Sequence, residues 1–525
     1  MDFDQTKAYE TLRTLSVGRE SFDFSELDAK RVESFTVTMA AGLCYSYAAA
    51  PVDEAVLAAL QDSADEQQLI NKYRAVLCGQ IMNTGENRKV LHHLTRGQVA
   101  EPVIHNGRDQ RAFYLSQQER IAAFVKSVHN GTICGSTGKP FTTAVQIGIG
   151  GSDLGPRALY LALEGWATTV GRKRMNGYFI SNVDPDDGTQ VLSALPLEQT
   201  LFILVSKSGT TQETLANELL VKSSLQRAGL DPAKHVVAVT SETSPLANNK
   251  AYLDSFYIDD FIGGRYSSTS SVGAVILSLA YGSMTFTELL AGAHEADRLA
   301  LEPSIQKNAA LLDALIGVWE RNFLNYAATA ILPYSQALSR FPAHLQQLDM
   351  ESNGKRVNKD GHLVSYKTGP IVFGEPGTNG QHSFYQLLHQ GTDIVPLQFI
   401  GFSKNQRGDD IMVEDSTNQT KLLANLAAQI VAFAKGQPVS GANRTKEFPG
   451  ARPSTLIYGK TLNPASLGAL LSHFENKVMF QGFVWNINSF DQEGVQLGKI
   501  LTKKVLSGQS GDTALDAYSK LLGIE

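Results

Sequence analysis

The chain has 525 residues, of which 43% are hydrophobic and 19% charged, and its formal net charge is −6 at pH 7. This length predicts more than one domain with large buried cores, and the negative charge provides no basic field for nucleic acid, so no nucleic-acid partner is expected. The polar start MDFDQTKAYE lacks the regions of a signal peptide and no apolar run has membrane-spanning length, so we expect no membrane partner and a cytoplasmic location.

Residues 1–100 are predicted to form a mostly helical N-terminal region. Apolar side chains recur at helical spacing within 52–60 and again within 69–77. Residues 35–39 alternate apolar side chains with threonines instead, which predicts one short strand inside this region.

Short β-rich runs alternate with helical stretches after residue 100. Strands are predicted at 144–149, 178–181, 201–205 and 235–240, and after a helical connector at 328–332, 371–374 and 395–400. Residues 201–205 are apolar throughout, as expected of a parallel strand covered on both faces. Helices at 422–434 and 464–481 close the second half.

This alternation predicts an α/β protein with two αβα sandwich domains, each a doubly wound parallel sheet. The predicted ranges are 1–100 for the N-terminal region, 101–282 for the first αβα domain, 283–322 for the connector, 323–510 for the second αβα domain and 511–525 for a C-terminal tail.

The loop 206–211, with the sequence SKSGTT, follows a predicted strand and opens a helix. Ligands bind at the carboxyl ends of parallel strands, where the N–H groups of a helix N-terminus favour an anion. Thr210 and Glu213 have the spacing of a capping box, so helix initiation alone explains those two residues. Four residues stay unexplained by capping and predict a phosphate site: Ser206, Lys207, Ser208 and Thr211.

Other loops carry candidate side chains, each with an ordinary alternative. The glycine-rich loop 148–156 is either a ligand loop or a tight strand-to-helix turn. Arg265 follows two glycines and either reaches a ligand or is solvated in a surface turn. Glu351 near a helix end, His382 in a strand-to-helix loop and Lys499 early in a helix would each normally face solvent.

The sequence predicts no metal site and no disulfide. Cys44, Cys78 and Cys134 are widely spaced and are expected to be reduced thiols. His382 and His389 lie seven residues apart, whereas helical histidine ligands are usually four apart, and no third ligand is nearby in sequence.

Together these segments resemble the glucose-6-phosphate isomerase family. DFIGGRYSSTSSVG at 260–273 is similar to the first signature of that family, and GFVWNINSFDQEGVQLGK at 482–499 is similar to its second. The segments NTGENRKVLH, GIGGSDLGP, SKSGTTQET, DMESNGK and GEPGTNGQH occur in the family's order. Ser268 and Thr269 depart from the first signature, which usually has an aliphatic residue and often tryptophan there, and we expect both to be packing positions.

The resemblance implies two sugar-isomerase-type αβα domains in a homodimer whose active sites use residues of both subunits. It implies reversible isomerisation of glucose 6-phosphate and fructose 6-phosphate through a cis-enediolate, in glycolysis and gluconeogenesis, with a sugar phosphate as the small-molecule partner. It implies no metal and no cofactor.

The same resemblance assigns roles at matching positions. Glu351 is the base, and Arg265 faces the developing enediolate. His382, contributed by the partner subunit, and Lys499 assist ring opening. The phosphate is bound by Ser206, Lys207, Ser208 and Thr211, and the sugar site is lined by Gly151, Ser152, Glu213, Gln347 and Gln492.

The chemistry of the residues agrees with these roles. Moving a carbonyl between neighbouring carbons needs one base, and the Glu351 carboxylate is a suitable base if it is ionised and partly desolvated. A permanently cationic guanidinium stabilises the enediolate charge. Two alternatives stay open: a non-catalytic sugar-phosphate-binding regulatory module, and an isomerase that also accepts mannose 6-phosphate.

Overall fold

The computed structural model describes residues 2–19, 22–439, 443–508 and 510–524. The outer limits of the predicted domain ranges, residues 1 and 525, lie outside these described residues.

The N-terminal region is mostly helical, as predicted, but it contains more strands than the sequence indicated. Up to residue 100 its elements are α1 (Lys7–Ser16), α2 (Ala29–Ser34), β1 (Thr36–Thr38), β2 (Cys44–Ser46), α3 (Glu54–Glu66), α4 (Leu69–Leu77), β3 (Ile81–Asn83) and β4 (Arg88–Lys89). Between residue 100 and the first large sheet follow β5 (Ile104–His105), β6 (Arg108–Asp109) and α5 (Gln110–His129). The helical periods at 52–60 and 69–77 correspond to α3 and α4, whose apolar residues are buried. The predicted strand at 35–39 is β1, which pairs antiparallel with β2.

The first αβα unit contains a parallel sheet of five strands. Its elements are β7 (Thr143–Ile147), α6 (Leu154–Thr169), β8 (Asn176–Ile180), α7 (Pro185–Ser193), β9 (Thr200–Val205), α8 (Gln212–Arg227), β10 (Val236–Thr240), β11 (Ser255–Tyr257) and α9 (Ser271–Tyr281). The strand order is β11-β10-β9-β7-β8 and every pairing is parallel. All six residues of β9 are buried, which accounts for its uninterrupted apolar run.

The second αβα unit follows two connector helices. The elements from the connector onward are α10 (Ser283–Leu299), α11 (Ala309–Asn322), β12 (Ala328–Tyr334), α12 (Phe341–Asn353), β13 (Ile371–Gly374), α13 (Tyr385–Gln390), β14 (Leu397–Lys404), β15 (Met412–Val413), β16 (Ser416–Thr417), α14 (Asn418–Lys435), β17 (Ser454–Thr461), α15 (Pro464–Val484), α16 (Gln496–Leu506) and α17 (Thr513–Leu521). The second sheet has the order β1-β2-β17-β14-β12-β13.

The N-terminal hairpin therefore completes the second sheet. β2 pairs antiparallel with β17, while β17, β14, β12 and β13 are mutually parallel. The predicted doubly wound α/β class is confirmed, and the antiparallel edge strands β1 and β2 are an addition to it.

Both sheets reverse their winding next to their first strand. In the first sheet, β8 lies on one side of β7 and β9 on the other; in the second, β13 and β14 flank β12 in the same way. Ligands of doubly wound sheets bind at such a switch point, outside the carboxyl ends of the two strands. The fold therefore has two crevices of this kind, and the loop after β9 lies at the first.

Among the described residues, no helix is long and apolar enough to cross a membrane. The longest helix, α15, has 21 residues and is buried over almost its whole length, but it carries His473, Glu475 and Lys477 inside the protein. Cys44, Cys78 and Cys134 are all free thiols, as expected.

Candidate active site

Two glycine-rich loops meet at the switch point of the first sheet. Gly151 follows β7 and packs directly on the loop that carries Arg265: a Cβ atom at Gly151 would lie 2.2 Å from the carbonyl carbon and oxygen of Gly264. The glycine at this position allows two backbones to touch, and Gly150 has φ +60°, as a tight strand-to-helix turn requires, so both interpretations of the loop 148–156 stay open. Ser152 lies next to this contact and its carbonyl oxygen accepts a hydrogen bond from Gln146 Nε2 at 2.7 Å.

The loop 206–211 is held in shape by its own hydroxyl groups. Ser206 is buried, and its Oγ accepts from the Gly209 N–H at 3.1 Å while donating to Thr211 Oγ1 at 3.2 Å. Gly209 has φ +66°, a left-handed conformation that favours glycine. Lys207 donates to the Ile262 carbonyl at 3.2 Å, and burial lowers its pKa. The loop thus holds an ammonium group and several hydroxyl groups at the start of α8.

Thr210 does not cap this helix, so the predicted capping box is wrong. The residue preceding α8 is Thr211, and its side chain makes no capping hydrogen bond. The Thr210 hydroxyl donates to Ser208 Oγ at 2.9 Å instead. The first N–H groups of α8 consequently lack the side-chain acceptor that a capping box provides, which favours an anion there.

Arg265 is buried with 1% exposure, so its interpretation as a solvated surface arginine is wrong. Its Nε donates to Ser352 Oγ at 2.6 Å, and its Nη2 donates to the carbonyls of Ser489 at 2.6 Å and Asp491 at 3.0 Å. The remaining nitrogen, Nη1, lies 3.6 Å from Glu351 Oε2. Three hydrogen bonds therefore fix the guanidinium with one edge directed at the predicted base.

Glu351 lies on α12 with its carboxylate partly buried. Oε2 is buried and has no hydrogen-bond partner among the described residues. Gln347 lies one turn earlier on the same face of α12, and a Cβ atom added at Gly150 would be 3.2 Å from its Nε2. The structure therefore brings Glu351 and Gln347 of α12, Arg265 and the Gly151 loop together, although they come from three separate segments of the chain.

Lys355 also belongs to this cluster, and the sequence analysis did not single it out. Its Nζ lies 2.8 Å from Asp491 Oδ1 and donates to the carbonyls of Glu351 at 3.0 Å and Asp491 at 3.1 Å. It thereby ties the end of α12 to the segment that also binds Arg265. The signal was present in DMESNGK, where the lysine stands one helical turn after the glutamate.

Four predicted site residues are exposed or half-buried in the single chain. Gln492 directly follows Asp491 and is exposed. Lys499 is exposed on α16, Glu213 is half-buried in the first turn of α8, and His382 is exposed at the end of a 3₁₀ turn, Asn379–His382, ahead of α13. Within the described parts of this single chain, no hydrogen bond or ion pair joins His382, Lys499 or Glu213 to Arg265 or Glu351.

Ser268 and Thr269 are buried, in agreement with their expected packing role. Thr269 Oγ1 accepts hydrogen bonds from Thr95 Oγ1 at 2.8 Å and from Arg96 Nε at 3.4 Å. Ser268 Oγ occupies the space next to Gly155, where a Cβ would lie 1.9 Å away. Ser268 and Thr269 thus make close or polar contacts at positions where the signature usually has an apolar side chain.

The part of the chain that the structure describes contains no group of three or more His, Cys, Asp or Glu side chains arranged to hold a metal ion. His389, which the sequence analysis considered with His382, stacks on Phe433 at 3.7 Å between ring centroids and contacts Gln429. That histidine is accounted for by packing.

Comparisons with known proteins agree with this geometry. A family model described as phosphoglucose isomerase matches residues 46–520. The glucose-6-phosphate isomerase of Treponema denticola is 63% identical over 498 residues, which are 95% of this chain and 94% of the relative. That of Borreliella burgdorferi is 48% identical over 94% of each chain. The crystal structure of a glucose-6-phosphate isomerase from Chlamydia trachomatis has a TM-score of 0.92 at 42% identity and covers 100% of both chains. This chain belongs to the phosphoglucose isomerase family.

Proposed function

We propose that the chain isomerises glucose 6-phosphate and fructose 6-phosphate reversibly, as an aldose–ketose isomerase of glycolysis and gluconeogenesis. The observation that carries this proposal is the pair formed by Glu351 and Arg265. Glu351 Oε2, which has no hydrogen-bond partner in the described part of the chain, lies 3.6 Å from a guanidinium whose other nitrogens are engaged. This arrangement supplies a base and a fixed positive charge at one position.

Glu351 moves the proton in this proposal. Because Oε2 is partly desolvated and accepts no hydrogen bond from the residues that the structure describes, its lone pairs are available to a C–H group of the open-chain sugar. The same oxygen returns the proton to the neighbouring carbon. Lys355, bonded to the Glu351 carbonyl, holds the end of α12 and acts as a positioning residue.

Arg265 stabilises the negative charge that develops on the sugar oxygens. Its hydrogen bonds to Ser352, Ser489 and Asp491 orient the guanidinium before substrate binds, so no reorganisation is needed during the reaction. Preorganised charge of this kind is usually worth more than a flexible cation because it acts in a site from which water is excluded.

The loop 206–211 binds the phosphate and thereby orients the reacting carbons. Ser206, Lys207, Ser208 and Thr211 provide the donors, with the start of α8 behind them. Gly151, Ser152, Gln347, Glu213 and Gln492 line the sugar site. His382 and Lys499 assist ring opening; both are exposed in the single chain, which agrees with a site completed by a second subunit.

We further propose a cytoplasmic homodimer with shared active sites and no nucleic-acid or membrane partner. The free thiols support the location, and the exposed His382 supports the shared site. We also retain the domain boundaries at residues 100, 282, 322 and 510; two separate sheets with parallel strands before residue 282 and after residue 322 support the two αβα units, while β1 and β2 of the N-terminal region pair with the second sheet.

A ³¹P NMR experiment with purified protein and fructose 6-phosphate in a chelating buffer tests the proposed function. The isomerase approaches the same equilibrium mixture from either sugar phosphate. Binding without turnover would select the non-catalytic module instead. Mannose 6-phosphate in the same assay decides whether the chain accepts the C2 epimer.

A further inference from the structure

The second switch point also has a crevice, separate from the catalytic cluster. It lies at the carboxyl ends of β12 and β14, where those strands end at Tyr334 and Lys404. Its volume is about 480 Å³, within the range of small-molecule sites. None of the residues assigned above to catalysis or phosphate binding lines it.

The two crevices share part of their construction. The strands β7 and β12 are each followed by a short 3₁₀ turn and then a helix: Gly150–Ser152 before α6, and Gln336–Leu338 before α12. β9 leads into the loop 206–211, which contains Lys207 and opens α8, whereas β14 ends at Lys404 and leads through a loop with Arg407 into the hairpin β15–β16. Both sheets therefore place cations at the switch point, although only in the first sheet does a helix follow the loop directly.

The walls of the second crevice are fixed by hydrogen bonds. Gln406 Nε2 donates to the carbonyls of Ala162 at 2.7 Å and Leu462 at 3.0 Å, which holds the loop after β14 against α6. Gln419 Nε2 donates to the Phe402 carbonyl at 2.7 Å. These contacts show a formed site rather than a gap between loose loops.

Charge and polarity in the crevice indicate the kind of ligand. Lys404 and Arg407 line it, and no ion pair of the described residues includes either cation. The lining contains two carboxylates. Glu164 forms an ion pair with Lys173 at 2.8 Å, so Asp409 is the carboxylate that remains to offset the two cations. The remaining lining is rich in amide and hydroxyl groups, including Ser335, Gln336, Ser339 and Asn405. Excess positive charge beside amides and hydroxyls suits an anionic, hydroxyl-rich molecule.

We propose that this crevice is a second binding site, for a small phosphorylated polyol. Lys404 and Arg407 bind the phosphate, and the amides and hydroxyls bind the polyol. Tyr334 connects the crevice to the turn that carries His382: it lines the crevice, and its hydroxyl accepts a hydrogen bond from Gln381 Nε2 at 2.7 Å, next to His382.

Isothermal titration with glucitol 6-phosphate, which has no carbonyl to isomerise, tests the proposal. The full-length wild type is expected to bind two molecules per chain. Lys207→Met is expected to weaken binding at the active site and leave the second site unchanged. The double variant Lys404→Ala/Arg407→Ala is expected to lose the second site and leave the active site unchanged, and all three substitutions together are expected to combine the two effects. Lys460→Ala, an exposed lysine that does not line the crevice, is the matched control and keeps both.

The double variant is expected to retain wild-type turnover, so failure of this proposal is distinguishable from failure of the proposed function. The proposal is overturned if the wild type has no second site tighter than about 1 mM. It is also overturned if the second site persists in the double variant, or if glucitol without phosphate binds there equally well.

Discussion

Gly151→Ala tests whether the contact between the two glycine-rich loops sets the position of Arg265. The added methyl group would lie 2.2 Å from the backbone of Gly264 and 2.8 Å from the amide nitrogen of Arg265, where ordinary contact begins at 3.4 Å. Both neighbours are backbone atoms that cannot rotate away, so the loops must separate by about 1 Å.

A displacement of about 1 Å at a catalytic group costs roughly 100-fold in rate, so we expect kcat/KM to fall by about that factor. The overpacking also costs about 1–3 kcal/mol of stability. Gly263→Ala is the matched control: Gly263 is two residues from Arg265, its φ is −67°, and a Cβ atom there meets only Tyr266 at 3.6 Å.

The assay couples glucose 6-phosphate production to its dehydrogenase, with circular dichroism to establish that each variant is folded. The expected result is a large loss for Gly151→Ala and little change for Gly263→Ala. A folded Gly151→Ala enzyme with near wild-type kcat/KM would refute the reasoning, and equal losses in both variants would show that the loop tolerates no change at all.

Three further predictions follow from the site and its surroundings. Lys207→Met removes the ammonium group from the loop 206–211 and is expected to lower kcat/KM roughly 10- to 100-fold, whereas Lys222→Met, on the helix α8 that follows this loop, is expected to change kcat/KM little. Equal effects of the two substitutions would contradict the proposed phosphate site. Burial raises the pKa of Asp349 to about 7, so its proton stabilises the folded state at low pH and that contribution is lost as the pH rises through 7. Asn does not titrate, so Asp349→Asn removes this dependence. Calorimetry is expected to show that the difference in Tm, variant minus wild type, rises by roughly 1–3 °C between pH 6 and pH 8. A difference in Tm that stays constant with pH would exclude the titration of Asp349. Lys499→Ala is expected to slow cyclic substrate more than an open-chain analogue, and equal losses would remove Lys499 from ring opening.

The fold class could be predicted from local patterns because parallel strands buried on both faces are uniformly apolar. β17 was missed for the converse reason: only its first half is well buried, so its sequence has no uninterrupted apolar run. The pairing of β2 with β17 joins Ser46 to Leu456, which are far apart in the sequence. A local sequence pattern carries no information about which distant strand a strand will pair with. β11, at three residues, is too short to show a period.

The loop 206–211 could be proposed as a phosphate site from the sequence because all its groups lie within six consecutive residues. The Glu351–Arg265 pair could be inferred only from the resemblance, since the two side chains are far apart in sequence and each has a common solvated alternative. Burial of Arg265 and its three hydrogen bonds depend on Ser352 and the segment 489–491, which only the folded chain brings together. The roles of His382 and Lys499 stay predictions, because both are exposed in the single chain.

Solvent exchange at the sugar carbons tests the central claim, that Glu351 carries the proton between C1 and C2. In ²H₂O, wild-type enzyme is expected to introduce deuterium at C1 of fructose 6-phosphate while isomerising it, because a carboxylate that holds the proton can exchange it with solvent. Glu351→Gln, which keeps the size but not the basicity of the side chain, is expected to lower both exchange and turnover roughly 1,000-fold or more while still binding the sugar phosphate. Near wild-type exchange and turnover in folded Glu351→Gln would contradict the account.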